Sequence, residues 1–84
     1  MDEVELRTVV VSELRRIAPE VEADELVDTR PLRRQVDLDS LDWLRFLVGL
    51  HERLTVDIPE ADYAKLVTLA DLVSYLKARL ASSG

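Results

Sequence analysis

Nowhere in this chain do apolar and polar residues alternate over the length of a strand. Apolar residues recur instead every three or four positions in three separate stretches, the period of an amphipathic helix. Val9-Val10-Val11 and Val56-Asp57-Ile58 are β-prone, but each is too short to outweigh its surroundings. In 84 residues with 2 glycines and 3 prolines, that pattern predicts one all-α domain spanning positions 1–84. The expected architecture is a small four-helix bundle: three main helices, one short helix, and a long loop between helices 1 and 2.

The first helix is expected from about Glu3 to Ala18. Asp2 can cap it, with Glu5 three residues on, and Pro19 stops it. Leu6, Val10, Leu14 and Ile17 form its inward stripe, and Val9 and Val11 widen that face. The connection from Glu20 to Leu38 is acidic and carries Pro31 in its middle. A loop this long in so small a domain is functional or hides a turn of helix, and Val21, Leu26, Leu32 and Val36 can pin it to the bundle.

The second helix is expected over Ser40 to Leu54, capped by Asp39 with Asp42 three residues later. Thr55-Val56-Asp57-Ile58-Pro59 breaks the pattern, and a short helix fits Glu60 to Leu66. Thr68 caps a last helix from Leu69 to about Leu80, with Asp71 at the reciprocal position. The tail Ala81-Ser82-Ser83-Gly84 is expected to fray.

That second helix has too many apolar faces. Trp43, Phe46, Leu47, Leu50 and Leu54 fall within one core stripe. Leu41, Leu44 and Val48 form another, roughly 130° away at the helical period. Two outcomes are open: the second stripe packs under the long loop, or it is an exposed interaction face. Trp43 reads as core packing ahead of a cavity lining, and His51 as a solvated surface residue ahead of a partner contact.

Charge and composition narrow the function. A formal net charge of −6 disfavours nucleic acid, which needs a basic face, and the second helix has no net positive charge to enter a groove. The chain has no cysteine and a single histidine, which leaves no thiol nucleophile, thiolate metal site or histidine metal site. Without a paired set of carboxylates beside a plausible cavity, an enzyme is a poor reading. The longest apolar run, Phe46 to Leu50, is too short to cross a membrane, and the acidic start is unlike a targeting segment. The cytoplasm is the default compartment.

Ser40 opens the second helix. A helix N-terminus has unpaired amides and partial positive charge, so a serine there suits a covalently attached phosphate. Most serines in that place are simple capping-region residues. The surrounding Asp39-Ser40-Leu41-Asp42, however, resembles the modification motif of acyl carrier proteins. The resemblance continues through Val56-Asp57-Ile58-Pro59, the short helix, and Thr68-Leu69-Ala70-Asp71-Leu72-Val73, covering nearly the whole chain in order.

The resemblance implies that Ser40 bears a 4′-phosphopantetheine arm, attached when its hydroxyl attacks the phosphorus of coenzyme A on a separate phosphopantetheinyl transferase. It implies that Asp39 helps that transferase recognise the site. Leu41, Leu44 and Val48 match partner-contact positions, and Asp42 and Arg45 stand on the same expected docking surface. An acyl or aminoacyl cargo would ride as a thioester on the arm, loaded by a ligase and consumed by a downstream transferase or synthase. The carrier is expected to be a monomer that performs no chemistry itself.

Two departures from the family pattern stand out. Asp37 occupies a position where many members have glycine, which requires a negative φ there. The second helix, strongly acidic in most members, has Asp42 and Glu52 offset by Arg45 and Arg53, with Arg33 and Arg34 just upstream. That balance favours a specialised pathway over ordinary fatty-acid synthesis. The alternatives are a peptidyl or polyketide carrier domain excised from a larger synthase, which Met1 and the short tail disfavour, and a helical adaptor without a prosthetic group.

Overall fold

The computed structural model describes residues 1–82. Helix α1 spans Glu3–Ile17, α2 is one turn at Leu32–Gln35, α3 spans Ser40–Leu54 and α4 spans Leu69–Ser82. Two 3₁₀ segments, Ala23–Glu25 and Glu60–Lys65, complete the secondary structure, and among the described residues there is no strand. The expected all-α bundle is therefore present. The short fourth helix is the second 3₁₀ segment, and the long connection hides α2 and the first one. Ala81 and Ser82 continue α4, whereas Ser83 and Gly84 lie outside the described residues.

The helix starts are fixed by side chains that accept from otherwise unpaired amides. Asp2 Oδ1 accepts from the Glu5 amide at 2.8 Å. Asp39 Oδ1 accepts from the Asp42 amide at 2.8 Å. At α4 the exchange is reciprocal: the Asp71 amide donates to Thr68 Oγ1 and the Thr68 amide to Asp71 Oδ2, both at 3.0 Å.

Helix α1 packs against both α3 and α4. Leu6, Val10 and Leu14 of α1, Phe46 and Leu50 of α3, and Leu69, Leu72 and Leu76 of α4 are fully buried. Ile17 and Leu54, expected in the inward stripes, are only half-buried. Each lies in the last turn of its helix, where the stripe runs off the packed interior.

The long connection is clamped to the bundle. Val21, Leu32, Val36 and Leu38 are buried, and Leu26 is half-buried. Arg7 of α1 donates to the Asp28 carboxylate at 2.9 Å and to the Ala23 carbonyl at 3.0 Å. Gln35 bonds both backbone groups of Val27, and the Leu32 amide donates to the Val67 carbonyl at 2.9 Å. The α3 start, where Ser40 sits, is thereby approached by a fixed chain.

The second 3₁₀ segment is held through Asp62. Its carboxylate accepts from the Tyr75 hydroxyl at 2.6 Å and from Arg79 at 2.9 Å, with Lys65 at 3.4 Å. The Tyr75 hydrogen bond, aided by the two cations, holds the Asp62 carboxyl below its usual range against the opposing effect of desolvation.

Candidate functional site

Ser40 is the first residue of α3 and is exposed. The cap itself is supplied by Asp39, whose extended backbone and side-chain bond to the Asp42 amide leave the serine hydroxyl out of the capping arrangement. Among the described residues no hydrogen bond engages that hydroxyl. A nucleophilic oxygen is thus presented to solvent at the positive end of a 15-residue helix dipole. These residues fit a phosphodiester-linked arm: the oxygen is accessible, and the local field favours the phosphate charge. Asp37, two residues before Asp39, is accommodated without strain, since the positive-φ residue among the described non-glycines is Thr55 alone.

The second apolar stripe of α3 is not covered by the loop. Leu41, Leu44 and Val48 are 56%, 43% and 46% exposed. They form one wall of an open groove of about 710 Å³ between α3 and the C-terminal half of α1. Ile17 and Arg16 stand on the opposite wall, and Asp42, Arg45 and Glu52 edge it. Arg45 lies 3.9 Å from Asp42, an exposed pair on the groove rim. Ser40 therefore stands at the head of a surface that brings together all the expected partner-contact residues. The stripe is exposed, because the loop's Val21, Leu32, Val36 and Leu38 are buried in the interior rather than laid over α3.

Trp43 is 8% exposed and packs its ring 5.2 Å from that of Phe46, as a core residue. Its remaining edge lines a second, smaller cleft with Arg33 and Tyr63. His51 is exposed but is not merely solvated. Its Nδ1 lies 2.6 Å from the Val56 carbonyl, and its own carbonyl accepts the Thr55 and Val56 amides. The imidazole thus closes the end of α3, with Nδ1 carrying the proton because a carbonyl can only accept.

Sequence reasoning missed Glu13, a carboxylate only 4% exposed at the α1–α3 contact on the floor of the groove. Glu13 Oε1 accepts from Arg53 at 3.2 Å and lies 3.5 Å from Arg16, while Arg53 also donates to Ser12 Oγ at 3.0 Å. Opposite it is Gly49. A Cβ there would stand 2.7 Å from Glu13 Oε2, so the missing side chain is the space the carboxylate occupies. Two signals were available: Glu13 shares a face with Val10 and Ile17 at helical spacing, and a glycine in mid-helix is costly without a packing reason.

Comparison with known proteins agrees with this geometry. A family model described as the phosphopantetheine attachment site matches residues 5–76. The chain is 32% identical over 79 residues to Acyl carrier protein 3 of Ralstonia nicotianae, covering 89% of this chain and 90% of that protein. It is 30% identical over 73 residues to the acyl carrier protein of Helicobacter hepaticus, covering 87% and 90%. It is 31% identical over 58 residues to that of Lactobacillus acidophilus, covering 69% and 72%.

Proposed function

The chain belongs to the acyl carrier protein family, bearers of 4′-phosphopantetheine, and we propose that Ser40 is the residue to which its arm is attached. One observation carries the assignment: an exposed serine at the first position of α3, with the capping duty already taken by Asp39. The arm supplies a terminal thiol for a thioester, so the absence of cysteine is no obstacle to carrying acyl or aminoacyl cargo. The chain's own residues present and deliver; they do not catalyse. It works as one carrier domain, a cytoplasmic monomer.

The partners follow from the surface. A phosphopantetheinyl transferase must reach Ser40, with Asp39 beside it as a recognition element. A loading ligase and a downstream transferase or synthase dock along Leu41, Leu44 and Val48. Arg45 and Arg16, with side chains 66% and 73% exposed, flank that apolar wall. A partner that offers a carboxylate to this rim is favoured over one with a purely basic face, which points to a dedicated pathway rather than general fatty-acid synthesis. Among the described residues no helix is long and apolar enough to cross a membrane.

The test is intact mass after incubation with coenzyme A and a broad-specificity transferase. The wild type gains one phosphopantetheine unit and Ser40→Ala gains none while keeping its helical circular dichroism. Addition to the alanine variant would overturn the assignment.

A further inference from the structure

Arg33 stands beside the attachment motif without belonging to it. It lies in α2, whose position is set by the fully buried Leu32 and by the Leu32 amide's bond to the Val67 carbonyl. From that fixed base its Nη2 donates to the Leu38 carbonyl at 3.4 Å, and its Cζ stands 5.9 Å from the centroid of the Trp43 ring. Leu38 is two residues before Ser40. Trp43 is three residues after it, and side chains three apart on a helix are surface neighbours. The guanidinium therefore touches residues on both sides of the serine.

This guanidinium is underused. It offers five donors in a planar fork, and the Leu38 bond is long and uses one of them. Among the described residues no carboxylate lies within ion-pair distance of Arg33, as is also true of Arg15, Arg30 and Arg34; what sets Arg33 apart is its hold on the Leu38 carbonyl and the Trp43 face. An arginine held by a carbonyl and an aromatic face keeps its fork available for an oxyanion, and phosphate oxygens match that fork.

We propose that Arg33 is a positioning residue for the prosthetic arm: it pairs with the phosphodiester on Ser40 and holds the start of the arm on the Trp43 side of α3. This rests on Ser40 being the attachment residue. On that side lies the open cleft of about 270 Å³ lined by Arg33, Trp43, Tyr63 and Leu66, across the helix from the Leu44–Val48 wall. Pairing at Arg33 biases the arm away from the docking groove, so the partner surface stays clear while the arm is at rest. Attachment itself does not require the pairing, because the transferase supplies the chemistry.

The proposal is tested on apo and holo protein, with loading driven to completion by excess transferase and checked by intact mass. Trp43 is the sole tryptophan, so its indole resonance and emission report the site directly. In the wild type, loading shifts the Arg33 side-chain Nε–Hε and Trp43 Nε1–Hε1 resonances and changes the tryptophan emission. In Arg33→Gln the mass gain persists, but most of the Trp43 shift and of the emission change is lost. Arg33→Lys, which keeps the charge, retains part of both. Equal Trp43 changes in wild type and Arg33→Gln, or a wild-type Arg33 resonance that does not move on loading, would overturn the pairing. A mass gain that survives Ser40→Ala would instead overturn the attachment residue, so the two failures are distinguishable.

Discussion

Gly49→Ala sets two physical effects against each other at one position. In a helix interior alanine is favoured over glycine by about 0.8–1.0 kcal/mol, so propensity alone predicts stabilisation. Against it stands the 2.7 Å separation between the added Cβ and Glu13 Oε2, when ordinary contact needs 3.4 Å or more. The carboxylate has to withdraw toward the open groove. That loosens its bonds to Arg53 and Arg16 at 3.2 and 3.5 Å. A hydrogen bond to a charged group contributes about 1.5–3 kcal/mol, and the lower end applies here because Arg53 is partly solvated. The net expectation is a loss of about 0.5 kcal/mol. In a Glu13→Ala background the clash disappears and the same change becomes stabilising by about 1 kcal/mol, leaving a coupling of about 1.5 kcal/mol. Chemical denaturation of the four proteins in the cycle measures it. If Gly49→Ala stabilises equally in both backgrounds, Glu13 is not held against Gly49 and the packing account of that glycine is wrong.

Four further outcomes follow from the same contacts. Leu50→Ala, at a fully buried site, is expected to cost about 2–5 kcal/mol, whereas Val48→Ala on the groove wall changes unfolding free energy by at most about 0.5 kcal/mol; equal large losses in denaturation curves would refute the interaction face. Thr55 closes α3 in the left-handed region at φ 53°, costly for a β-branched residue, so Thr55→Gly should stabilise by about 0.5–1 kcal/mol in the same assay. Because the Asp62 carboxyl is held low in the folded state, its contribution is complete above the ordinary aspartate range near about 4 and is lost as pH falls through the depressed native value. The stability gap between wild type and Tyr75→Phe should therefore shrink in acid, and a gap that is flat with pH would contradict the assignment. Arg45→Glu should slow loading by a cognate ligase and improve recognition by generic fatty-acid enzymes, with little effect on stability because its 3.9 Å pair with Asp42 is exposed; unchanged rates at low and moderate salt would remove charge at α3 as the basis of partner choice.

The order of the three main helices and their starts were legible in the residues themselves, whereas the one-turn α2 and the run of α4 on to Ser82 were not. Asp2, Asp39 and Thr68 cap where they were expected to, because capping is a bond to an amide three residues away and needs nothing from the rest of the chain. The core stripes and the place of Ser40 are legible for the same reason, since helical periodicity turns spacing directly into direction. Whether Leu41, Leu44 and Val48 are covered was not a local matter. It depended on the path of a connection whose course is set by Arg7 meeting Asp28 and Leu32 meeting Val67, contacts between residues distant in the chain. The partnership of Glu13 with Gly49 and Arg53 lies across two helices, and Arg33 meets the Trp43 ring only through the packing of α2 against the bundle. Each is fixed by how packed helices are set against one another, and that register is carried by the whole core rather than by any one segment.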